Sequence, residues 1–236
     1  MSLSASNLAS SPNTPEAILF DMDGVLVDSE ALHWETVGDV LRVHLGSDAP
    51  QLPPRVGWSD DELWPELRAR FSLRPSVRSL ILERDKWAQE RLVSAPPPVI
   101  EGALSAIQRW RSTAPKLPLA VVSASPRTQM ELSLRAFIHD EGGSLFDAVI
   151  SGVDDAPQNK PHPTPYQVAA AKLGVTLTRC WIAEDSTTGL TSGLASGASV
   201  FAINAQHADP ALLTRCQLHL NNLGDLYNEW EMRNSK

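Results

Sequence analysis

Cysteine is scarce in this chain: Cys180 and Cys216 are the two cysteines in 236 residues. Two thiols cannot build a disulfide framework, so free thiols in a reducing cytoplasm are the expected state. Basic charge is also short, with 20 Lys and Arg against 28 Asp and Glu and a net charge of −8. Nucleic acid is bound by clustered Lys and Arg, so it is not an expected partner. No stretch approaches the ~20 apolar residues that span a bilayer, so no membrane is expected either. The opening "MSLSASNLASSPNTPE" has neither a positive n-region nor an apolar h-region. It reads as a flexible polar tail over residues 1–15 rather than a secretory signal. Internal repeats are missing, as is low-complexity sequence beyond that tail. What remains is 42% hydrophobic and 20% charged, the composition of a globular chain with a real core. The ordinary acidic surface suggests a monomer.

Five short apolar runs share one design. Ala17–Phe20 stops at Asp21, Leu119–Val122 at Ser123, and Ala148–Ile150 at Ser151. Trp181–Ala183 stops at Glu184-Asp185, and Phe201–Ile203 at Asn204. Continuous rather than alternating apolar runs suit strands covered on both faces, as in a parallel sheet. Helical spacing lies between them, over Leu104–Trp110, Met130–Ile138 and Tyr166–Leu173, the last closed by Gly174 as a C-cap. The alternation predicts an α/β fold with a doubly wound, Rossmann-like parallel sheet. In such sheets ligands sit beyond the carboxyl ends of the strands, where the polar residues above stand.

Residues 31–95 break this rhythm. They hold no convincing strand, but amphipathic helical stretches run over Ala31–Leu45, Asp60–Phe71 and Val77–Leu92. Prolines at 50, 53, 54, 65 and 75 punctuate them, and "SAPPPVIEG" after them is a stiff connector. The reading is an α-helical cap domain, 31–95, inserted into a core domain made of 16–30 and 96–236.

The sheet brings Asp21, Asp23, Glu184 and Asp185 to one edge. Four carboxylates there would repel and raise one another's pKa values. A hard divalent cation relieves that repulsion, and Mg²⁺ prefers carboxylate and water oxygens. Magnesium favours phosphate substrates, and Ser123 and Lys160 offer a hydroxyl and a fixed positive charge to phosphate oxygens.

These residues resemble the haloacid dehalogenase superfamily, in its helical-cap phosphatase and β-phosphoglucomutase branch. Four motifs match in order: "DMDGVLVDSE" from Asp21, "VVSASPR" from Val121, "KPHPTPY" from Lys160 and "IAEDS" from Ile182. The resemblance implies that Asp21 is the nucleophile that forms an aspartyl-phosphate and that Asp23 is the general acid/base. It implies Mg²⁺ held by Asp21, the backbone carbonyl of Asp23, and Asp185, with Glu184 beside them. Ser123, Lys160 and the amide of Ala124 would bind the phosphate. An acid two residues after the nucleophile favours phosphate esters over carbon–halogen or carbon–phosphorus bonds.

The implied substrate is a small phosphorylated metabolite, a sugar or polyol phosphate, taken either by a phosphatase or by a phosphosugar mutase. His33 matches a histidine seen in both. "RVGWSDDELW" resembles the substrate loop of the cap, which makes Arg55, Trp58 and Ser59 candidate substrate contacts alongside His33. Mutases carry an arginine directly after that serine; here the position is Asp60, which would repel a second phosphate and favours the phosphatase. A non-catalytic binding module would be expected to have lost one of the acids or Lys160. The remaining choices are blander. Ser125 reads as a helix cap, His162 as structural, Trp64 as packing, and Arg127 and the basic residues of 77–92 as a solvated face.

Overall fold

A computed structural model describes residues 14–53, 60–139 and 142–235. Six strands, β1 (Ile18–Phe20), β2 (Leu119–Ser123), β3 (Ala148–Ser151), β4 (Trp181–Glu184), β5 (Ser199–Ile203) and β6 (Leu218–Leu220), form one parallel sheet in the order β3-β2-β1-β4-β5-β6. The fold is the expected α/β one, and the apolar runs explain it. Ile18 and Phe20 face a cluster with Trp110, Met130 and Tyr227, while Leu19 faces a second cluster with Tyr166, Ile182 and Leu190. Every residue of β1 must therefore be apolar, because both of its faces are covered.

The covering helices divide between those two layers. Helices α4 (Ala103–Thr113), α5 (Arg127–Ser133) and α9 (Leu223–Asn234) supply the first cluster; α6 (Thr164–Leu173) and α7 (Thr187–Ala195) supply the second. Trp110 sits at the centre of the first, with its ring centroid 5.5 Å from that of Phe20 and 5.2 Å from that of Tyr227. A one-turn helix, α8 (Pro210–Leu213), leads into β6.

Between β1 and α4 stand three helices, α1 (Glu30–Leu45), α2 (Asp60–Arg70) and α3 (Val77–Ser94), with no strand among the described residues between them. They share a core of Val37, Val40, Leu41, Leu63, Trp64, Leu67 and Leu80, separate from the two sheet clusters. Their two connections to the sheet run side by side: the Asp28 amide donates to Pro98 O at 2.8 Å and the Ile100 amide to Leu26 O at 3.0 Å. That pairing holds the start and end of the helical segment together.

Two local expectations need correction. The helical pattern of Met130–Ile138 does not continue as one helix; α5 ends at Ser133, a tight 3₁₀ turn follows to Phe137, and Ile138 is extended and half exposed. Phe137 turns into the core, and the tighter winding is what brings it there. Pro65 does not punctuate α2 but lies inside it, at the cost of one intrahelical hydrogen bond. Leu63, Trp64 and Leu67 on either side of it are buried, and that packing carries the helix through. Residues 1–13 of the expected tail lie outside the described residues.

Because Trp110 is fully buried between the sheet and α9, Trp110→Ala should cost about 3–5 kcal/mol of stability. Met232→Ala, at a 58% exposed position of the same α9, should stay within about 0.5 kcal/mol. Urea unfolding of both variants measures the contrast.

Candidate active site

The register of the sheet sets the site. Phe20 pairs with Val121 on one side and with Ala183 on the other, so the chain positions that follow, Asp21, Ser123 and Glu184, reach the same edge. β1 lies where the strand order reverses, the place where a crevice opens beyond the strand ends. A cavity of about 830 Å³ opens there. Asp21, Asp23, Lys160 and Asp185 line its sheet side, and Trp34, Leu63, Ile81 and Arg84 line its helical side.

Lys160 is the hub of the sheet side. Its Nζ donates to Asp21 Oδ1 at 2.6 Å, to Glu184 Oε1 at 2.7 Å and to Val122 O at 2.8 Å, so all three of its protons have acceptors on three adjacent strands. Burial works against its charge, but Asp21 and Glu184 outweigh that and hold the ammonium above its ordinary range. Tyr166 adds a hydrogen bond from its hydroxyl to Glu184 Oε1 at 2.5 Å. The signal for Tyr166 was its place in "KPHPTPY".

The acids have opposite environments. Burial pushes the Asp21 carboxyl up to about 8, reinforced by Glu184 and only partly countered by Lys160. Asp185 is raised well above the ordinary carboxylate value by burial and by Asp21 and Glu184. For Asp23 burial also acts upward, but His33, Ser29 and Ser123 together overcome it and bring the carboxyl down to about 2. Ser29 Oγ donates to Asp23 Oδ1 at 2.5 Å, and Ser123 and Ser125 donate to Oδ2 at 3.2 and 3.3 Å. His33 Nε2 stands 3.5 Å from Oδ1.

Local sequence explains these placements. Ser29 occupies the N-cap of α1, yet its hydroxyl bonds Asp23 instead of capping the helix, which leaves His33 in the first turn facing the same carboxylate. Ser186 does cap α7, accepting from the Gly189 amide at 3.1 Å, and so anchors the loop behind Asp185. Two glycines are required by close approach. Gly24 has φ +81°, and a Cβ there would meet Asp185 Oδ2 at 1.9 Å; a Cβ on Gly189 would meet Glu184 Oε2 at 1.8 Å.

Asp21, Glu184 and Asp185 each offer an oxygen within 4.8 Å of the others. Glu184 Oε2 and Asp185 Oδ1 are buried with no hydrogen-bond partner among the described residues. Carboxylate oxygens buried together without donors are a fit for a hard divalent cation. The Asp23 carboxylate stands outside this cluster, and the metal expectation for that residue concerns its backbone carbonyl.

Of the other expected residues, Ser123 is fully buried and Ala124 lines the cavity, as does His33. Arg55, Trp58 and Ser59 lie outside the described residues. Two blander readings are corrected. Ser125 caps no helix; it bonds Asp23, because Pro126 holds the cap position of α5. Asp60 forms an ion pair with Arg84. Arg84 is not on a solvated face: its side chain is 12% exposed. Ile81, Arg84, Asp85 and Ala88 recur at three- and four-residue spacing, so the pattern for Arg84 on an inward face was present. Trp64 is packed in the helical core as expected, and Arg127 pairs with Asp155.

Comparison with known proteins places this geometry. The family model "Haloacid dehalogenase-like hydrolase" matches residues 18–203. Hexitol phosphatase B of Escherichia coli K12 is 32% identical over 206 residues, covering 84% of this chain and 88% of that protein. The phosphorylated carbohydrates phosphatase of Thermotoga maritima is 27% identical, covering 77% and 82%. Among solved structures, CbbY from Rhodobacter sphaeroides in complex with phosphate superposes with a TM-score of 0.69 at 23% identity, covering 90% of this chain and 96% of that one, a likeness of fold. The chain belongs to the haloacid dehalogenase-like hydrolase family, in its cap-bearing phosphatase branch.

Proposed function

We propose that this protein is a Mg²⁺-dependent phosphatase of small phosphorylated carbohydrates, sugar or polyol monophosphates, working through an aspartyl-phosphate on Asp21. The observation that carries the reading is the pair Asp21 and Asp23, two residues apart at the cavity mouth, with Lys160 on one and hydroxyl and imidazole donors on the other. The names of the curated relatives, a hexitol phosphatase and a phosphorylated carbohydrates phosphatase, support the substrate class.

In the reaction, a carboxylate oxygen of Asp21 attacks phosphorus and the bond to the sugar oxygen breaks. Asp23 gives that oxygen its proton. Asp23, now ionised, takes a proton from water as the water attacks the aspartyl-phosphate; inorganic phosphate leaves and Asp21 is regenerated. Lys160 holds Asp21 in place and offsets its charge. Mg²⁺ would be held by Asp21 and Asp185 with Glu184 close by, and it supplies positive charge that keeps Asp21 ionised and balances the phosphate oxygens.

The unliganded acids stand the other way round, with Asp21 raised and Asp23 lowered. Substrate and cation together would supply the reversal. A phosphate drawing the Ser123 hydroxyl to itself would take one donor from Asp23 and set negative charge beside it, which favours protonated Asp23, while the cation would favour ionised Asp21. The Asp60–Arg84 pair weighs against the mutase alternative, since it leaves no free arginine at that position for a second phosphate.

Asp21→Asn should abolish phosphate release from a generic aryl phosphate and from sugar phosphates, and acid-quenched wild type should carry a phosphoryl group on Asp21 by mass spectrometry. Full activity of that variant would sink the covalent route. Asp23→Asn should lose about 10²–10⁴-fold in kcat.

The raised Asp21 also sets a pH dependence. Its folded pKa of about 8 lies above the ordinary 3.8, so its contribution to stability is full below 3.8 and is lost as pH rises toward 8. In EDTA, Tm should therefore fall across that window. Saturating Mg²⁺ should flatten the fall, because metal binds the ionised acids, and Asp21→Asn should lessen it without metal, the raised Asp185 keeping a remainder. A pH series of thermal melts tests this, and a metal-independent profile would argue against the cation site.

A further inference from the structure

The helical wall of the cavity carries a cluster that the mechanism above does not use. The Arg84 guanidinium engages Asp60 Oδ2 and reaches Asp85 Oδ1 at 3.3 Å and His33 Nδ1 at 3.2 Å. A guanidinium only donates, so His33 Nδ1 accepts, and its Nε2 carries the hydrogen toward Asp23. One imidazole ring therefore separates Arg84 from the acid pair, within reach of the far end of a small phosphate ester held on Asp21.

Both acids are fixed. Asp60 Oδ1 accepts from the indole nitrogen of buried Trp64 at 3.0 Å. Asp85 Oδ1 accepts from Gln129 Nε2 at 3.3 Å, and the same amide donates to Asp85 O at 3.2 Å. This wall sets two carboxylates, Asp60 and Asp85, against one guanidinium. Arg84 Nε is buried with no hydrogen-bond partner among the described residues.

We infer that the Asp60–Arg84 pair is a selectivity element that admits monophosphates whose far end is uncharged and hydroxyl-bearing and turns away bisphosphates. The inference rests on the phosphatase reading. Arg84 is the one cation among the described residues of this wall, and its Nη2 is already engaged by Asp60 and Asp85. A second phosphate arriving there meets Asp60 and Asp85 with no free partner, and like charges at contact distance repel strongly in a partly dry cavity. A sugar or polyol hydroxyl meets the opposite situation. It donates to the spare lone pairs of either carboxylate. The same rejection would apply to any second anionic group at that distance, a carboxylate included.

The test compares glucose 6-phosphate with glucose 1,6-bisphosphate, measured as kcat/KM for phosphate release. Wild type should prefer the monophosphate by at least about tenfold. Asp60→Asn keeps an acceptor for Trp64 and removes the charge; it should narrow that preference about tenfold or more, mainly through a lower KM for the bisphosphate. Adding Arg84→Gln to Asp60→Asn should restore the discrimination, because the freed guanidinium is then gone. A merely structural role for Asp60 would lower both substrates alike, and that result, or a wild type indifferent to the second phosphate, overturns the inference. Asp60→Ser, checked by circular dichroism, repeats the comparison if Asp60→Asn does not fold. If wild type releases no phosphate from any ester, the phosphatase reading fails on its own. Selectivity is then read from calorimetric binding of the same two sugars to wild type and Asp60→Asn, with equal preference in both overturning it.

Discussion

One buried ammonium holds this site together. Lys160 spans the ends of three neighbouring strands, taking Asp21 just past β1, the Val122 carbonyl from β2 and Glu184 from β4. A buried carboxylate without a partner is costly, and here two of them share one cation. The arrangement works only if the strands end in step, and the continuous apolar register of β1 with β2 and β4 enforces that. Lys160 comes from none of those strands. It is delivered by the loop before α6, whose Tyr166 bonds the same Glu184 oxygen. Sheet register, loop and helix thus converge on one charge, and the partnerless oxygens of Glu184 and Asp185 mark what that charge leaves unbalanced.

The separation of Asp21 from Asp23 follows from the turn between them. Met22 is buried and its carbonyl accepts from the Leu26 and Val27 amides at 2.9 and 3.1 Å, which pins the turn against the core. Gly24 then takes its positive φ with Asp185 packed against it. The two carboxylates leave the turn on different sides. Asp21 goes into the ammonium and acid cluster, and Asp23 goes among hydroxyls. Two residues of sequence therefore produce one acid pushed up and one pulled down.

Legibility in the sequence followed the source of each constraint. The five apolar runs were plain because burial on both faces demands them, and each ended in the polar residue that lines the edge. β6 was not, since Leu218–Leu220 is a three-residue edge strand with an exposed His219 at its centre and too little pattern to register. Glu184 and Lys160 could be proposed from motifs, but their shared hydrogen bonding depends on strand register. Ser125 looks like a helix cap because serine before a helix usually is one; here a nearby carboxylate competes for the hydroxyl. Arg84 was misread because basic residues on a charged helix are ordinarily solvated, although its spacing with Ile81 and Ala88 put it on the inward face.

The position of the helical segment in the chain ties its geometry to the acid pair. It leaves directly after the Asp21–Asp23 turn, so the first turn of α1 delivers His33 to Asp23. It returns through Pro98–Ile100, which hydrogen-bond the outgoing strand and fix the pivot beside Leu26 and Asp28. Away from that pivot, the Gln129 side chain on α5 reaches across to Asp85 on α3. A rotation of α1–α3 about the paired connectors would therefore move His33, Arg84 and Asp60 as one body relative to Asp21 and Lys160. It would also change how many donors Asp23 holds. Connectivity alone, through the few residues between Asp23 and His33, thus ties the helical segment to the donor set of Asp23.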